Sequence, residues 1–143
     1  MTLDETLNAI SINIREAEQY GRELFLAAEE IKSAGMYPAV PSEQWQDRNG
    51  DGQYLYMIFK TDGNGIYQGP NRARKVYVGN KADRIAEARR LAENRRRYEV
   101  ITATLDQIHN WLRSAKFDVM RAHASTNGCP RAKCYLHPNI GAE

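Results

Sequence analysis

"DRNGDGQYLYMIFK", Asp47–Lys60, is the stretch on which the fold turns. Its first six residues match the opening half of a calcium-binding loop, and the eight that follow read as a strand. Such a loop needs oxygen ligands at positions one, three and five, a glycine at six and a bidentate glutamate at twelve. Asp47, Asn49, Asp51 and Gly52 supply the first half, but position nine is Leu55 and position twelve is Ile58. Neither side chain ligates, so the stretch reads as a polar turn that opens a β-strand. Period two then places Tyr54, Tyr56, Ile58 and Lys60 on one face, and Leu55, Met57 and Phe59 on the other.

Downstream, "TDGNG" (Thr61–Gly65) is a turn, and "RKVYVG" (Arg74–Gly79) is a second short strand in which Lys75 and Tyr77 alternate with Val76 and Val78. An isolated hairpin is marginal in water. It must dock on a helix or gain a third strand, for which the segment around Ile66 and Tyr67 is the candidate.

Both flanks are helical. Leu3, Leu7, Ile10, Ile14, Ala17, Gly21, Leu24, Ala28 and Ile31 alternate spacings of four and three, a heptad seam. Thr2 with Glu5 makes a capping box, and Gly35 followed by Pro38 and Pro41 ends the helix. Gly21 is costly in a helix, which assigns it a packing role where a partner approaches. A second seam runs Leu91, Asn94, Tyr98, Ile101, Leu105, Ile108, Leu112, Ala115 and Val119, with Asn80 as N-cap and Asp83 in the first turn. The expected fold class is α+β, mainly α: two long helices in an antiparallel coiled-coil-like hairpin with a small β-hairpin or sheet inserted between them. One domain is expected, with helix one over 1–35, the head over 36–80, helix two over 81–123 and a tail over 124–143. Homodimerisation through the leftover apolar positions Ile12, Phe25, Trp111 and Phe117 extends the same logic.

With 143 residues, 42% of them hydrophobic, the chain suffices for one modest core. No apolar run approaches the ~18 residues of a membrane span and no signal-like start is present, so a soluble cytoplasmic protein is expected. The net charge of +2 conceals an asymmetry. Residues 1–51 carry ten acids against four bases, whereas residues 72–97 carry ten bases against three acids.

Chemistry-bearing clusters are sparse. His123, Cys129, Cys134 and His137 are four ligands of the kind zinc takes, set against a tail with two free thiols as the preferred reading. No cofactor beyond that structural zinc is implied. No serine sits in a nucleophile elbow, "DGNGIYQG" lacks the lysine of a phosphate loop, and His109 reads as a polar helix-face residue. The chain reads as a non-enzyme.

What remains is the basic island. Arg72, Arg74, Lys75 and Tyr77 at the hairpin, with Lys81, Arg84, Arg89, Arg95 and Arg96 on the early second helix, are the nucleic-acid-binding candidates, able to neutralise phosphates and lay aromatic rings against bases. The competing account is that Glu87, Glu93 and the acidic first helix pair with these arginines. A tyrosine-rich strand, a glycine turn, a basic strand ending in "YVG" and a helix carrying "ENRRRY" together resemble small uncharacterised bacterial and mobile-element proteins with a β-hairpin between two long helices. The hairpin followed by a helix is also similar to the arm-binding domains of tyrosine recombinases, which implies DNA contact by Arg72, Arg74, Lys75 and Tyr77. The expected function is non-enzymatic binding of DNA or RNA in a bacterial or mobile-element system. The alternative is a protein-interaction module, such as a phage- or plasmid-encoded adaptor or an anti-CRISPR-like, nucleic-acid-mimicking inhibitor.

Overall fold

The computed structural model describes residues 2–126. A helix α1 (Leu3–Ala34) is followed by strands β1 (Ser42–Asp47) and β2 (Gln53–Ile58), a 3-10 turn at Pro70–Arg72, strand β3 (Lys75–Gly79) and a helix α2 (Ala82–Thr126). This is the mainly helical α+β arrangement expected, with a small antiparallel sheet between two long helices.

The capping box forms at the start of α1. The Glu5 amide donates to Thr2 Oγ1 at 3.1 Å, and the Thr2 amide to Glu5 Oε1 at 2.8 Å. Gly35 closes the other end at φ 105°, a left-handed conformation that glycine adopts without a Cβ penalty, and its amide donates to the Ile31 carbonyl at 3.1 Å. The seams emerge with one exception: from Leu7 to Ile31 every α1 seam position is buried or half-buried, as is every α2 seam position from Leu91 to Val119, but Leu3, the first position of the α1 seam, is exposed. At α2 the cap is Lys81 rather than Asn80, because its carbonyl accepts the first helical bond, from the Ile85 amide at 3.0 Å.

The described residues form two compact units. One holds the part of α1 up to Phe25 and the part of α2 from Ala103. There the helices run antiparallel, with Gly21 against Leu105 and Ile108, and with Lys116 Nζ bonded to Glu18 at 2.7 Å. A Cβ on Gly21 would lie 3.6 and 3.8 Å from those two side chains, an ordinary contact. The packing at this position therefore does not require glycine. Ile12, Phe25 and Trp111 are exposed, whereas Phe117 is half-buried with the Arg121 guanidinium 4.9 Å from its ring centre.

The other unit, Leu26–Thr102, holds the sheet. The strand order is β1-β2-β3, antiparallel throughout. The third strand is thus Ser42–Asp47, not the segment around Ile66 and Tyr67. Those residues belong to a smaller hairpin bridged at Thr61 and Tyr67, whose turn is closed by Asp62 Oδ1 accepting from the amides of Asn64 and Ile66 at 2.7 and 3.0 Å. Leu55, Met57 and Val78 point from the sheet into a core with Tyr37, Phe59, Ala88 and Ala92, flanked by Ile85 and Leu91. Three side-chain and backbone bonds tie this core to the end of α1: Arg90 donates to the Ala34 carbonyl, Asn94 to the Gly35 carbonyl, and the Tyr37 amide to the Leu91 carbonyl.

"DRNGDG" resolves as the β1–β2 hairpin turn. Asp47 pairs with Gln53, the Arg48 amide donates to the Gly52 carbonyl at 3.3 Å and the Asp51 amide to the Arg48 carbonyl at 2.9 Å. Asn49, Gly50 and Gly52 take positive φ, which asparagine and glycine tolerate best. The letters of a cation loop serve backbone geometry here.

Candidate nucleic-acid interface

With Leu55 and Met57 facing the core, period two turns Tyr54 and Tyr56 to the other side of β2. Register brings them neighbours from both flanking strands. Gln44 and Gln46 of β1 lie opposite Tyr56 and Tyr54, and Tyr77 and Lys75 of β3 lie opposite Tyr56 and Ile58. Residues directly opposite in an antiparallel pair share a face. The outer face therefore gathers three tyrosines, two glutamines and a lysine from three strands.

The tyrosines touch. Tyr77 stands 6.2 Å from Tyr54 and 5.4 Å from Tyr56 between ring centres. Arg48, on the hairpin turn, places its guanidinium 5.7 Å from the centre of the Tyr54 ring and 5.5 Å from that of Tyr77, while Lys75 Nζ lies 4.8 Å from that of Tyr56. Gln46 Nε2 donates to Gln44 Oε1 at 3.2 Å. Tyr77 remains 46% exposed.

The basic candidates divide into two sets. Among the described residues, no carboxylate lies within ion-pair distance of Arg48, Arg72, Arg74, Lys75, Lys81 or Arg84. Arg72 and Arg74 flank the turn that feeds β3, held to the core because the Phe59 amide donates to the Arg74 carbonyl at 2.7 Å. Asn71 and Arg72 both sit at positive φ, 54° and 61°. For arginine this is an uncommon, costly conformation. Arg84 lines a groove between sheet and helix with Tyr37, Tyr77, Val78, Asp83, Glu87, Ala88 and Leu91.

The second set is engaged within the fold. Arg89 grips Glu43 of β1 through two bonds of 2.8 and 3.0 Å, Arg95 pairs with Glu99 at 2.9 Å and lies 5.4 Å from the centre of the Tyr98 ring, and Arg96 pairs with Glu93 at 3.3 Å. The Arg89 hydrogen bond holds the Glu43 carboxyl below its ordinary pKa despite partial desolvation, and Arg90 does the same for Glu87. Pairing with acids thus accounts for these helix arginines, mostly one turn away along α2 rather than on α1.

Nothing in the local sequence singles out Arg48, Gln44 or Gln46, or joins Tyr54 and Tyr56 to the basic set. Alternation had placed the tyrosines on one face, but only the strand register brings Arg48 and β1 to them. Cys129, Cys134, His137 and the side chain of His123 lie outside the described residues. No helix among the described residues is long and apolar enough to cross a membrane. Comparison of the chain with protein-family models, curated proteins and solved structures finds no match.

Proposed function

We propose that the protein binds nucleic acid through the outer face of its sheet and the basic turn that leads into β3. The observation that carries this reading is the convergence of Tyr54, Tyr56 and Tyr77 with Arg48 and Lys75 on one face of the sheet, and it is supported by Arg72 and Arg74, close before β3 in the chain, which have no carboxylate partner among the described residues. Cations left unneutralised by the fold are the ones that can release counterions from a phosphate backbone. The resemblance drawn from the hairpin and "ENRRRY" adds the setting, a bacterial or mobile-element system.

Fluorescence anisotropy of labelled oligonucleotides across a salt series tests it. The wild type is expected to bind with a steep salt slope. Arg72→Glu, Arg74→Glu, Lys75→Glu should abolish that binding, whereas Arg96→Ala, which removes a charge already paired with Glu93, should leave the slope nearly unchanged. Absence of wild-type binding even at low salt ends this reading and moves the function to a protein partner.

A further inference from the structure

The tyrosine faces on the sheet are occupied by the protein's own cations. Arg48 covers Tyr54 and Tyr77, and Lys75 covers Tyr56. Arg48 projects from a turn containing Gly50 and Gly52 at positive φ, and no carboxylate among the described residues holds it in place. Such a cation can leave.

Magnitudes decide what replaces it. A cation over an exposed aromatic ring contributes about 0.5–1 kcal/mol. A nucleobase stacked on an aromatic side chain contributes about 1–3 kcal/mol. In the exchange the base gains the ring while the displaced guanidinium gains a phosphate, a charge-assisted bidentate partner. Both halves favour the bound state. The exchange requires a base with a free face. Bases inside a duplex are covered on both sides by their neighbours, whereas an unpaired base offers its face at little cost.

Resting on the nucleic-acid reading above, we propose that the ligand is single-stranded. Its unpaired bases stack on Tyr54 and Tyr77 in the place that Arg48 holds in the free protein, and Arg48 and Lys75 pair with the backbone phosphates. Arg48 is then a placeholder that keeps the ring faces covered and becomes a phosphate contact on binding.

The test uses the full chain and a labelled 20-nucleotide thymidine strand, beside a labelled 20-base-pair duplex, in anisotropy titrations at several salt concentrations. The strand is expected to bind at least tenfold more tightly than the duplex. Tyr54→Leu, Tyr77→Leu, which keeps apolar bulk but removes the ring faces, should weaken strand binding about tenfold or more with little change in salt slope. Arg48→Ala should lower the slope by about one ion for the strand. Circular dichroism checks the fold of each variant, and Tyr77→Leu alone, at an exposed position, serves should the double variant misfold. Duplex binding as tight as strand binding, or a leucine variant that binds the strand like wild type, overturns the single-strand inference while leaving nucleic-acid binding in place. Binding to neither ligand at the lowest salt overturns both.

Discussion

Gly69 stands where the chain leaves the small hairpin and crosses Phe59. A Cβ there would run into the Ala73 carbonyl oxygen and lie 2.7 Å from Cδ2 of Phe59. Neither neighbour can yield, because Phe59 is 2% exposed and the Ala73 backbone is fixed by the bond from its amide to the Pro70 carbonyl. Gly69→Ala is therefore expected to destabilise by about 1–3 kcal/mol, as overpacking does. Gly21 supplies the contrast, since a methyl group there meets Leu105 and Ile108 at ordinary distances. Gly21→Ala is expected to stabilise by up to about 1 kcal/mol through helix propensity alone. Urea denaturation of the two variants decides both expectations, and the sign should differ between them. A destabilised Gly21→Ala would mean that the helices approach more closely there than the geometry shows.

At the scale of the elements, one polar side chain at a heptad position ties α2 to the glycine that closes α1. Asn94 is 9% exposed, and its amide donates to the Gly35 carbonyl at 2.8 Å, satisfying a half-buried acceptor just beyond the end of α1. Asn94→Ala should cost about 1–3 kcal/mol, the range for stranding a buried partner, and Asn94→Asp should cost more because a carboxylate would face that carbonyl. Midpoints of chemical denaturation measure both, and an Asn94→Ala protein as stable as wild type would refute the role of this bond. The helices, their seams, the Thr2–Glu5 box, the Gly35 terminus, β2 and β3 were all legible because each is written in local periodicity or local chemistry. β1 was not. "SEQWQD" shows no apolar alternation, since this edge strand is exposed at every position except half-buried Gln46, so its pairing is fixed only by register with β2. The same non-local register hides Arg48, whose turn carries the letters of a cation loop and whose guanidinium ends on tyrosines from two different strands.

At the scale of the molecule, charge works in two separate ways. One part is consumed in holding elements together: Glu43 to Arg89 joins β1 to α2, and Glu18 to Lys116 joins α1 to α2. In each, the hydrogen bond from the cation holds the carboxyl below its ordinary pKa. A carboxyl that is more acidic when folded contributes its stability fully above the unfolded value, near 4.3, and loses it as pH falls through the folded value. Stability should therefore be level from neutral pH to about pH 5 and decline below, and Glu43→Gln should lower the neutral plateau and flatten the acid decline, the two curves converging at low pH. Thermal unfolding across pH 3–7 measures this, and an unchanged acid limb in Glu43→Gln would show that the pair does not form in solution. The other part of the charge, from Arg48 to Arg84, has no carboxylate partner among the described residues and so contributes little to this profile. Because those cations make no ion pair of that kind among the described residues, Arg74→Gln should leave the pH profile of unfolding unchanged while, on the proposed function, reducing the salt slope of oligonucleotide binding, which would separate charge that builds the protein from charge available to a ligand.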